Sequence, residues 1–405
     1  MDVEVRMFRQ ISCILLVSCA IGAGTNKCSY AAQEPEPHML AEIIPSTLAD
    51  GGNTAQVRAF DIAPDGCTIA VLYASWRSSS HGTGEELWVA TWSVSSSSKL
   101  LWKHKIGADS LSGAAYVRDV KDLVFTADQS RLLALGTGTI WSIDAKSGVV
   151  LDSIPPPVQA LGAPAQLLAL HGTTVAITYQ ENEGTSFYTA LIDVSPSREI
   201  DGWHTSALPQ SFSADGKLAI AVIPGHGVAD LEVIDTATGA NLRTVAVASE
   251  KRHPHDGVFA VAKFLDDTHV VVSSNHRIDH PKKHGAYGLE YIDVSSGQPI
   301  REITPEYFRP DGDIVVAADR NRFAVESVYA RERDLLWDSP HPRDLRVNLL
   351  VFSKESAVPE KVIPNVYAGL PGGKGKPLRL SSDGSVLAVA ESPSGSIKVF
   401  QLNPP

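Results

Sequence analysis

Cysteine is scarce in this chain of 405 residues, which holds four: Cys13, Cys19, Cys28 and Cys67. The first three precede the predicted folded body and only Cys67 falls within it, so a disulfide framework is excluded. The stability of the fold must therefore come from buried apolar surface, which a chain of this length can supply.

Motifs that carry common catalytic chemistry are also missing. The chain has no Gly-x-Ser-x-Gly nucleophile elbow, no His-Glu-x-x-His zinc motif, no phosphate-binding loop and no Cys-x-x-Cys-His haem motif. We therefore expect no cofactor and favour a non-enzymatic role. Basic residues are few as well, with 35 Lys and Arg against 46 Asp and Glu. This balance argues against nucleic acid or an anionic membrane surface as a partner, since both reward a net basic face.

No apolar run is long enough to cross a bilayer, but one suits a signal peptide. Ile11–Ala23 is apolar and follows Arg6 and Arg9, which is the order of a signal peptide's basic and apolar regions. Met7 is an alternative start, because acidic residues precede it. We predict that residues 1–31 are a signal peptide and leader and that the folded protein is exported.

Two processing routes stay open for this leader. Leu16–Cys19 resembles a bacterial lipobox, which would make Cys19 the lipidated first residue. Cleavage after Ala31 is the other route, because Ser29 and Ala31 satisfy the small-residue rule. The predicted location is accordingly periplasmic, lipid-anchored to the envelope, or secreted, and the only membrane contact expected is that anchor.

An internal repeat dominates the rest of the chain. Seven short runs are almost continuously apolar, which indicates strands covered on both faces. Several follow an Asp-Gly turn signal, in which Asp caps the turn and Gly takes the positive φ that closes it. The seven runs are Thr68–Ala74, Arg131–Gly136, Thr174–Tyr179, Lys217–Ile223, His269–Ser274, Asp313–Ala318 and Ser385–Ala390.

A second series of strands follows the first, and several of its members end in an Asp-x-x-Ser/Thr-Gly hairpin. Each repeat therefore reads as strand a, Asp-Gly turn, strand b, variable loop, strand c, Gly turn and strand d, which is one propeller blade. We predict that residues 39–405 form a single all-β domain, a seven-bladed β-propeller of four-stranded antiparallel blades. The second series is Leu87–Trp92, Thr139–Ile143, Tyr188–Ile192, Leu231–Ile234, Leu289–Ile292, Val347–Phe352 and Ile397–Phe400.

The last repeat lacks its outer strand, because the chain stops shortly after Ile397–Phe400. Leu40–Ile44 lies ahead of the first blade and reads as a strand without a partner. Pairing these two segments closes the ring and removes an open sheet edge. We therefore predict that the N-terminal segment completes blade seven.

These repeats resemble the bacterial WD40-like and YVTN-type propellers, which are grouped with the quinoprotein amine dehydrogenase beta-chain-like fold. The resemblance rests on Phe212–Ala219 and Leu380–Ala388, with Val233–Asp235 and Ile397–Phe400 as the matching ends of strand c. It covers roughly residues 40–405 and implies the fold, while its motifs say little about activity. No strand c ends in Trp-Asp and no blade begins with Gly-His, so the scaffold roles typical of WD40 proteins are only weakly implied.

The loops between strands b and c lie on one face of a propeller, and their lengths here are uneven. Blade two needs only Thr137-Gly138, whereas Ser75–Glu86, Asn275–Gly288 and Asp319–Arg346 are the predicted loops of blades one, five and six. Long loops on a rigid scaffold are the usual place for function. Neutral surface decoration is the competing interpretation.

The blade-five and blade-six loops hold the candidate binding residues. Arginines and a tryptophan suit an anionic ligand or an acidic protein surface, because guanidinium groups bind carboxylate and phosphate in pairs of hydrogen bonds. The histidine spacing also suggests a metal site as a weaker alternative, although a proline between them disfavours a shared helical face. The candidates are His276, Arg277, His280, His284, Arg320, Arg331, Arg333, Trp337 and Arg343, with His276, His280 and His284 as the alternative metal ligands.

Three charged residues of the inner strands, Asp61, Asp122 and Arg379, are expected to line the central channel in a structural role. The predicted function is an exported, monomeric, non-enzymatic binding module of the cell envelope, with a protein or small anionic ligand on the loop face. The alternative is a hydrolase of the lactonase type, which would need a metal or an acid–base pair at the channel mouth.

Overall fold

The predicted repeats fold into seven antiparallel sheets arranged as the blades of a β-propeller. The structure is a computed structural model, and it describes residues 37–44, 55–79, 82–95, 97–110, 122–136, 139–182, 186–195, 197–226, 228–249, 257–258, 260–274, 288–303, 314–328, 347–366, 376–391 and 395–402. The proposed leader, with Cys19, lies outside these residues. No helix within the described ranges is long and apolar enough to span a membrane.

Each blade runs from an inner strand a beside the channel to an outer strand d at the rim. Blades one to three consist of β2 (Ala55–Ile62), β3 (Thr68–Ser79), β4 (Gly82–Ser93), β5 (Leu100–Ser110); β6 (Asp122–Phe125), β7 (Arg131–Leu135), β8 (Ile140–Asp144), β9 (Val150–Ile154); β10 (Ala163–Ala169), β11 (Thr174–Glu181), β12 (Ser186–Val194) and β13 (Ser197–Thr205).

The remaining blades repeat this order, and β1 (His38–Ile43) is the first strand of the chain. A short extra strand, β18 (Gly257–Val258), pairs with the end of the second strand of blade four. Blades four to seven consist of β14 (Pro209–Phe212), β15 (Leu218–His226), β16 (Val228–Asp235), β17 (Asn241–Ser249); β19 (Ala260–Phe264), β20 (His269–Ser274), β21 (Gly288–Asp293), β22 (Gln298–Ile303); β23 (Ile314–Val316), β24 (Arg322–Val328), β25 (Val347–Ser353), β26 (Lys361–Val366); β27 (Leu378–Leu380), β28 (Val386–Ala390) and β29 (Ile397–Gln401).

Closure of the ring by the N-terminal segment is confirmed. Strand β1 pairs antiparallel with β29, so that Ala41 lies opposite Val399 and Ile43 lies opposite Ile397. Ala41 and Ile43 are buried and belong to the apolar cluster that joins blade seven to blade one. Strand β1 therefore covers the edge of β29 and also fills the last interface of the ring.

Seven buried apolar clusters hold the blades together, and each one combines side chains of two neighbouring blades. Leu72 of blade one and Leu132 of blade two share one cluster, and Val222 and Val272 of blades four and five share another. Every middle strand thus meets an apolar neighbour on both faces. This arrangement explains why the runs are almost continuously apolar instead of alternating.

Asp-Gly turns close strands a and b as predicted in blades one, four and seven, where Gly66, Gly216 and Gly384 all take a positive φ. In the first of these turns Asp65 Oδ1 accepts the backbone N–H of Cys67 at 2.8 Å. The thiol of Cys67 is free and exposed at this turn.

The strand assignment predicted for blade six is shifted by one strand and is therefore wrong. The apolar run at Asp313–Ala318 contains strand a (β23), where a strand b was expected. Strand b is β24, and the turn between the two strands spans residues 317–321. Arg320 takes the positive φ of 61° there, at a position where blades one, four and seven have glycine and blade two has Gln129. The actual a–b turn of blade six therefore contains no Asp-Gly pair. The Asp-Gly pair of Pro310–Gly312 precedes strand a in the sequence.

Two loop boundaries also change. Ser75–Glu86 of blade one is mostly regular hairpin, because the pairing of β3 with β4 continues as far as Ser79 and Gly82. The blade-six loop shrinks to residues 329–346, between the ends of β24 and β25. The blade-five loop spans residues 275–287, close to its predicted bounds.

Two turn glycines offer a matched test of what limits substitution. Both have positive φ, 76° at Gly148 and 55° at Gly172, but a Cβ at Gly148 would lie 2.5 Å from the Trp102 ring while Gly172 has open space. We expect Gly172→Ala to cost about 1 kcal/mol of backbone strain, and Gly148→Ala to cost about 1–3 kcal/mol more through the clash. Urea denaturation measures both losses, and equal losses would contradict the packing argument.

Candidate functional site in the central channel

The inner strands of the blades surround a channel with a cavity of about 280 Å³. Its described lining comes from blades two to seven, including Asp122, Gln210, Lys263, Lys376 and Arg379. An inner strand pairs with strand b on one edge only, so its other edge turns unpaired N–H and C=O groups toward the channel. Those groups need partners because they are largely removed from water.

Side-chain oxygens of one blade cap the N–H groups of the next. Asp61 Oδ2 accepts the N–H of Phe125 at 2.8 Å, and Asp122 Oδ2 accepts that of Leu167 at 3.1 Å. The same device recurs between blades four and five, where Gln210 Oε1 accepts the N–H of Ala262 at 2.8 Å. Ser211 Oγ likewise accepts the N–H of Phe264 at 3.1 Å. The polar residues of the inner strands therefore join neighbouring blades.

Cationic side chains cap the carbonyl groups in the same region. Arg320 of blade six donates to Phe264 O at 2.8 Å and to Phe212 O at 3.1 Å, which joins blades six, five and four. Lys263 Nζ donates to Gln210 O at 2.8 Å, and Lys376 Nζ lies 3.5 Å from Leu167 O. The carbonyls partly solvate these cations but do not neutralise them.

Two aspartates and two cations form a buried ion network where the ring closes. Arg379 Nε lies 3.0 Å from Asp61 Oδ1, and Arg379 Nη2 lies 3.6 Å from Asp122 Oδ1. Lys376 Nζ lies 3.3 Å from Asp122 Oδ2. The side chains of Asp61, Asp122 and Arg379 are 11%, 9% and 12% exposed. The ion network thus links blade seven to blade one and also to blade two.

Burial raises the pKa of Asp61 to about 6, because desolvation of its carboxylate outweighs the opposing effects of Arg379 and of the Phe125 N–H. The raised pKa of Asp61 makes the free energy of unfolding depend on pH. A carboxyl whose pKa is raised on folding binds its proton more tightly in the folded state, so it stabilises the fold as pH falls from about 6 toward 4.

This titration gives a test with Asp61→Asn. Between pH 7.5 and 4.5 we expect the unfolding free energy of the native protein to rise relative to that of the variant. The relative gain is about 2 kcal/mol, because this pH interval covers only part of the difference between the folded and unfolded pKa values and each pKa unit is worth about 1.4 kcal/mol. Urea denaturation at both pH values measures the difference. The turn aspartates Asp215 and Asp266, whose pKa values are lowered to about 2, titrate below this window. Identical pH profiles for the two proteins would refute the assignment.

Of the binding residues predicted on the loop face, only Arg320 lies in the described chain, and its predicted position is wrong. It lies in the a–b turn of blade six, at the opposite end of the blade from the b–c loops, and its guanidinium caps two carbonyls. The other candidates lie outside the described residues: His276, Arg277, His280, His284, Arg331, Arg333, Trp337 and Arg343.

The expected channel role of Asp61, Asp122 and Arg379 agrees with the ion network. Sequence reasoning missed Gln210, Lys263 and Lys376, although Gln210 and Lys263 are polar residues within apolar inner strands, which is a usable signal. Within the described ranges, no group of three or more His, Cys, Asp or Glu side chains could hold a metal ion.

Comparison with known proteins supports the fold and nothing more specific. No family model matches this chain, and no curated protein matches it either. The chain is similar to a Kuenenia stuttgartiensis hydrazine synthase structure at 15% identity and a TM-score of 0.51, covering 93% of this chain and 99% of that one. It is also similar to the Dos1 propeller at 11% identity and a TM-score of 0.50, covering 91% and 96%. The blades, their closure and these likenesses together establish a seven-bladed β-propeller scaffold.

Proposed function

We propose that this chain is an exported, non-enzymatic propeller that acts as a binding module of the cell envelope. It binds a protein or an anionic ligand through the b–c loops of blades five and six. One observation carries the proposal. The last described pairs of the two strand ladders are Ser274 with Gly288 and Val328 with Val347. Both long segments therefore leave from the same ends of two neighbouring blades.

The opposite face of the ring favours this choice, because its short turns are bound to one another. Ser382 N donates to Pro64 O at 2.8 Å across blades seven and one, and Asp319 N donates to Ser382 O at 2.8 Å across blades six and seven. Asp128 N likewise donates to Gly172 O at 3.2 Å. Polar groups already paired within the scaffold have less to offer a partner, whereas long loops on a rigid scaffold commonly bind.

The test replaces residues 329–346 with a short Gly-Ser linker that joins β24 to β25. We expect the variant to keep its thermal unfolding transition and to lose the partners that the native protein captures from envelope extracts after crosslinking. The control replaces residues 183–185 in the b–c turn of blade three and keeps those partners. Retention of every partner by the blade-six variant would reject the loop face as the binding site.

A further inference from the structure

Large apolar side chains are exposed more densely along the outer edge of blade two than in any other described part of the ring. Five of them lie in β9 and the segments on either side of it, whereas no other blade exposes more than two within the described residues. Single exposed apolar residues are ordinary, but a concentration of them marks a site of interaction. The five are Val149, Val150, Leu151, Val158 and Leu161.

The outer edge of β9 also lacks the residues that usually protect an edge strand. Within the described residues β9 pairs with β8 alone, so its other edge directs backbone N–H and C=O groups outwards. Basic side chains and Pro commonly shield such an edge, and the sequence Val-Leu-Asp-Ser-Ile of β9 contains neither. Strand β1 also lacks them, but it exposes only one large apolar side chain, Met39. The other five outer strands each carry a basic residue: Lys103, Arg198, Arg243, Arg301 and Lys361.

The loop that follows β9 holds Val158 and Leu161 in exposed positions. Ala160 N donates to Pro157 O at 3.0 Å, which closes a turn, and Leu161 N donates to Glu181 Oε1 at 2.9 Å. Glu181 belongs to blade three and its side chain is 5% exposed, so the loop is anchored to the scaffold. Val158 and Leu161 are 94% and 86% exposed, and contacts made by a loop that is already ordered cost little conformational entropy on binding.

Charge indicates which partner suits this edge. The sequence holds no Lys or Arg from Ser147 to Ser197, and Asp152 is exposed in the middle of β9. Opposite charges on paired strands stabilise a sheet, and like charges destabilise it. A second copy paired antiparallel with β9 brings two Asp152 carboxylates into one ladder of five residues, whereas a strand that carries Lys or Arg complements the carboxylate. A basic and apolar segment of another protein therefore fits this edge better than a second copy of the chain.

We propose that the outer edge of β9 binds an extended segment of another protein by strand addition. Backbone hydrogen bonds to β9 supply the affinity, and alternate side chains supply the specificity. A Lys or Arg of the segment lies opposite Asp152, and its apolar side chains contact Val150, Leu151 and, beyond the strand, Val158. This surface lies on the rim of blade two, separate from the loops of blades five and six, and it does not depend on their binding a partner.

Peptides from a phage-displayed library of random twelve-residue sequences, selected on the full-length protein, serve as the probes. We expect the enriched peptides to combine alternating apolar residues with Lys or Arg. A synthetic copy of such a peptide should slow hydrogen exchange at the backbone amides of residues 150–154 at least tenfold when it binds. Selection that yields no peptide able to protect these amides overturns the proposal.

The key variant is Leu151→Lys, which adds a protective charge to the edge at a side chain that is 46% exposed. We expect it to weaken peptide binding at least tenfold. Asp152→Asn removes the charge but keeps an acceptor for Ser153 N, which now donates to Asp152 Oδ1 at 2.8 Å, and we expect a loss of a few-fold. Leu242→Lys is the matched control, since Leu242 is 58% exposed on the outer strand of blade four, and it should bind as the native protein does. Equal affinity in all three variants overturns the proposal.

Light scattering of the peptide-free protein over a range of concentrations separates a second copy from a foreign strand. We expect the protein to stay monomeric. Self-association that Leu151→Lys abolishes would identify a second copy as the occupant of this edge, against the proposal. The variant that lacks residues 329–346 should bind the peptides normally, which separates this surface from the loop function.

Discussion

Replacing Arg379 with methionine is expected to lower the free energy of unfolding by about 3–5 kcal/mol at pH 7.5, the usual cost of removing one partner from a buried ion pair. Arg379 lies between the carboxylates of Asp61 and Asp122 in a nearly buried network. Its guanidinium also lies over the Phe60 ring, 5.5 Å from the centroid. Methionine keeps much of the apolar stem but leaves two buried carboxylates without their shared cation.

Two comparisons separate this effect from a general loss of packing. At pH 5 the loss should be smaller, because Asp61 is then mostly protonated and needs the cation less. Adding Asp61→Asn to Arg379→Met should recover part of the loss, giving a coupling energy of about 1–3 kcal/mol in a double-mutant cycle. Lys105→Met, at a half-exposed pair with Glu86, should cost less than about 1 kcal/mol. A loss that is independent of pH and of Asp61 would point to packing instead.

Ile43→Asp is expected to destabilise the protein by more than about 4 kcal/mol, because it places an unpaired charge in the cluster that closes the ring. Ile43 is 2% exposed and lies opposite Ile397 in the closing pair of strands. Detachment of β1 would also leave the edge of β29 open, and an open strand edge promotes association between chains. Thermal unfolding measures the first effect, and light scattering measures the second.

Met39→Asp is the matched control on the same strand, since Met39 is 47% exposed and lies opposite Phe400. A change at such a surface position is expected to stay within about 0.5 kcal/mol. If both substitutions leave the protein equally stable and monodisperse, β1 does not contribute to closure. If both destabilise it equally, the strand is sensitive to charge at any position and the argument from burial is wrong.

The repeat and its closure could be read from the sequence because both depend on local patterns. Strands covered on both faces must be apolar at nearly every position, as in Thr68–Ala74, and tight turns need residues such as Asp65 and Gly66. A final repeat without its outer strand requires another segment to cover its edge, and the chain offered Leu40–Ile44. The apolar runs and the turn residues are short segments of consecutive residues. They can therefore be recognised without knowing which distant residues they contact.

Blade six shows where local patterns mislead. Its Pro310–Gly312 segment has the composition of an a–b turn, while the real turn places Arg320 at a positive φ. Arg320 is held there by carbonyls of blades five and four, 56 and 108 residues away in the chain. Contacts with those blades stabilise a turn that the local sequence does not signal, and such contacts exist only after blades four, five and six have packed together.

The interactions within the channel also depend on tertiary structure, because they join residues that are distant in the sequence. Asp61, Asp122 and Arg379 could be assigned to inner strands from the sequence, but their partners could not. Lys376 meets Asp122 across 254 residues, because ring closure brings blade seven beside blade one and within reach of blade two. Short apolar runs and turn chemistry specify the strands of each blade. The pairing of charges in the channel depends instead on the number of blades and on the closure of the ring, which bring inner-strand side chains from distant parts of the chain together.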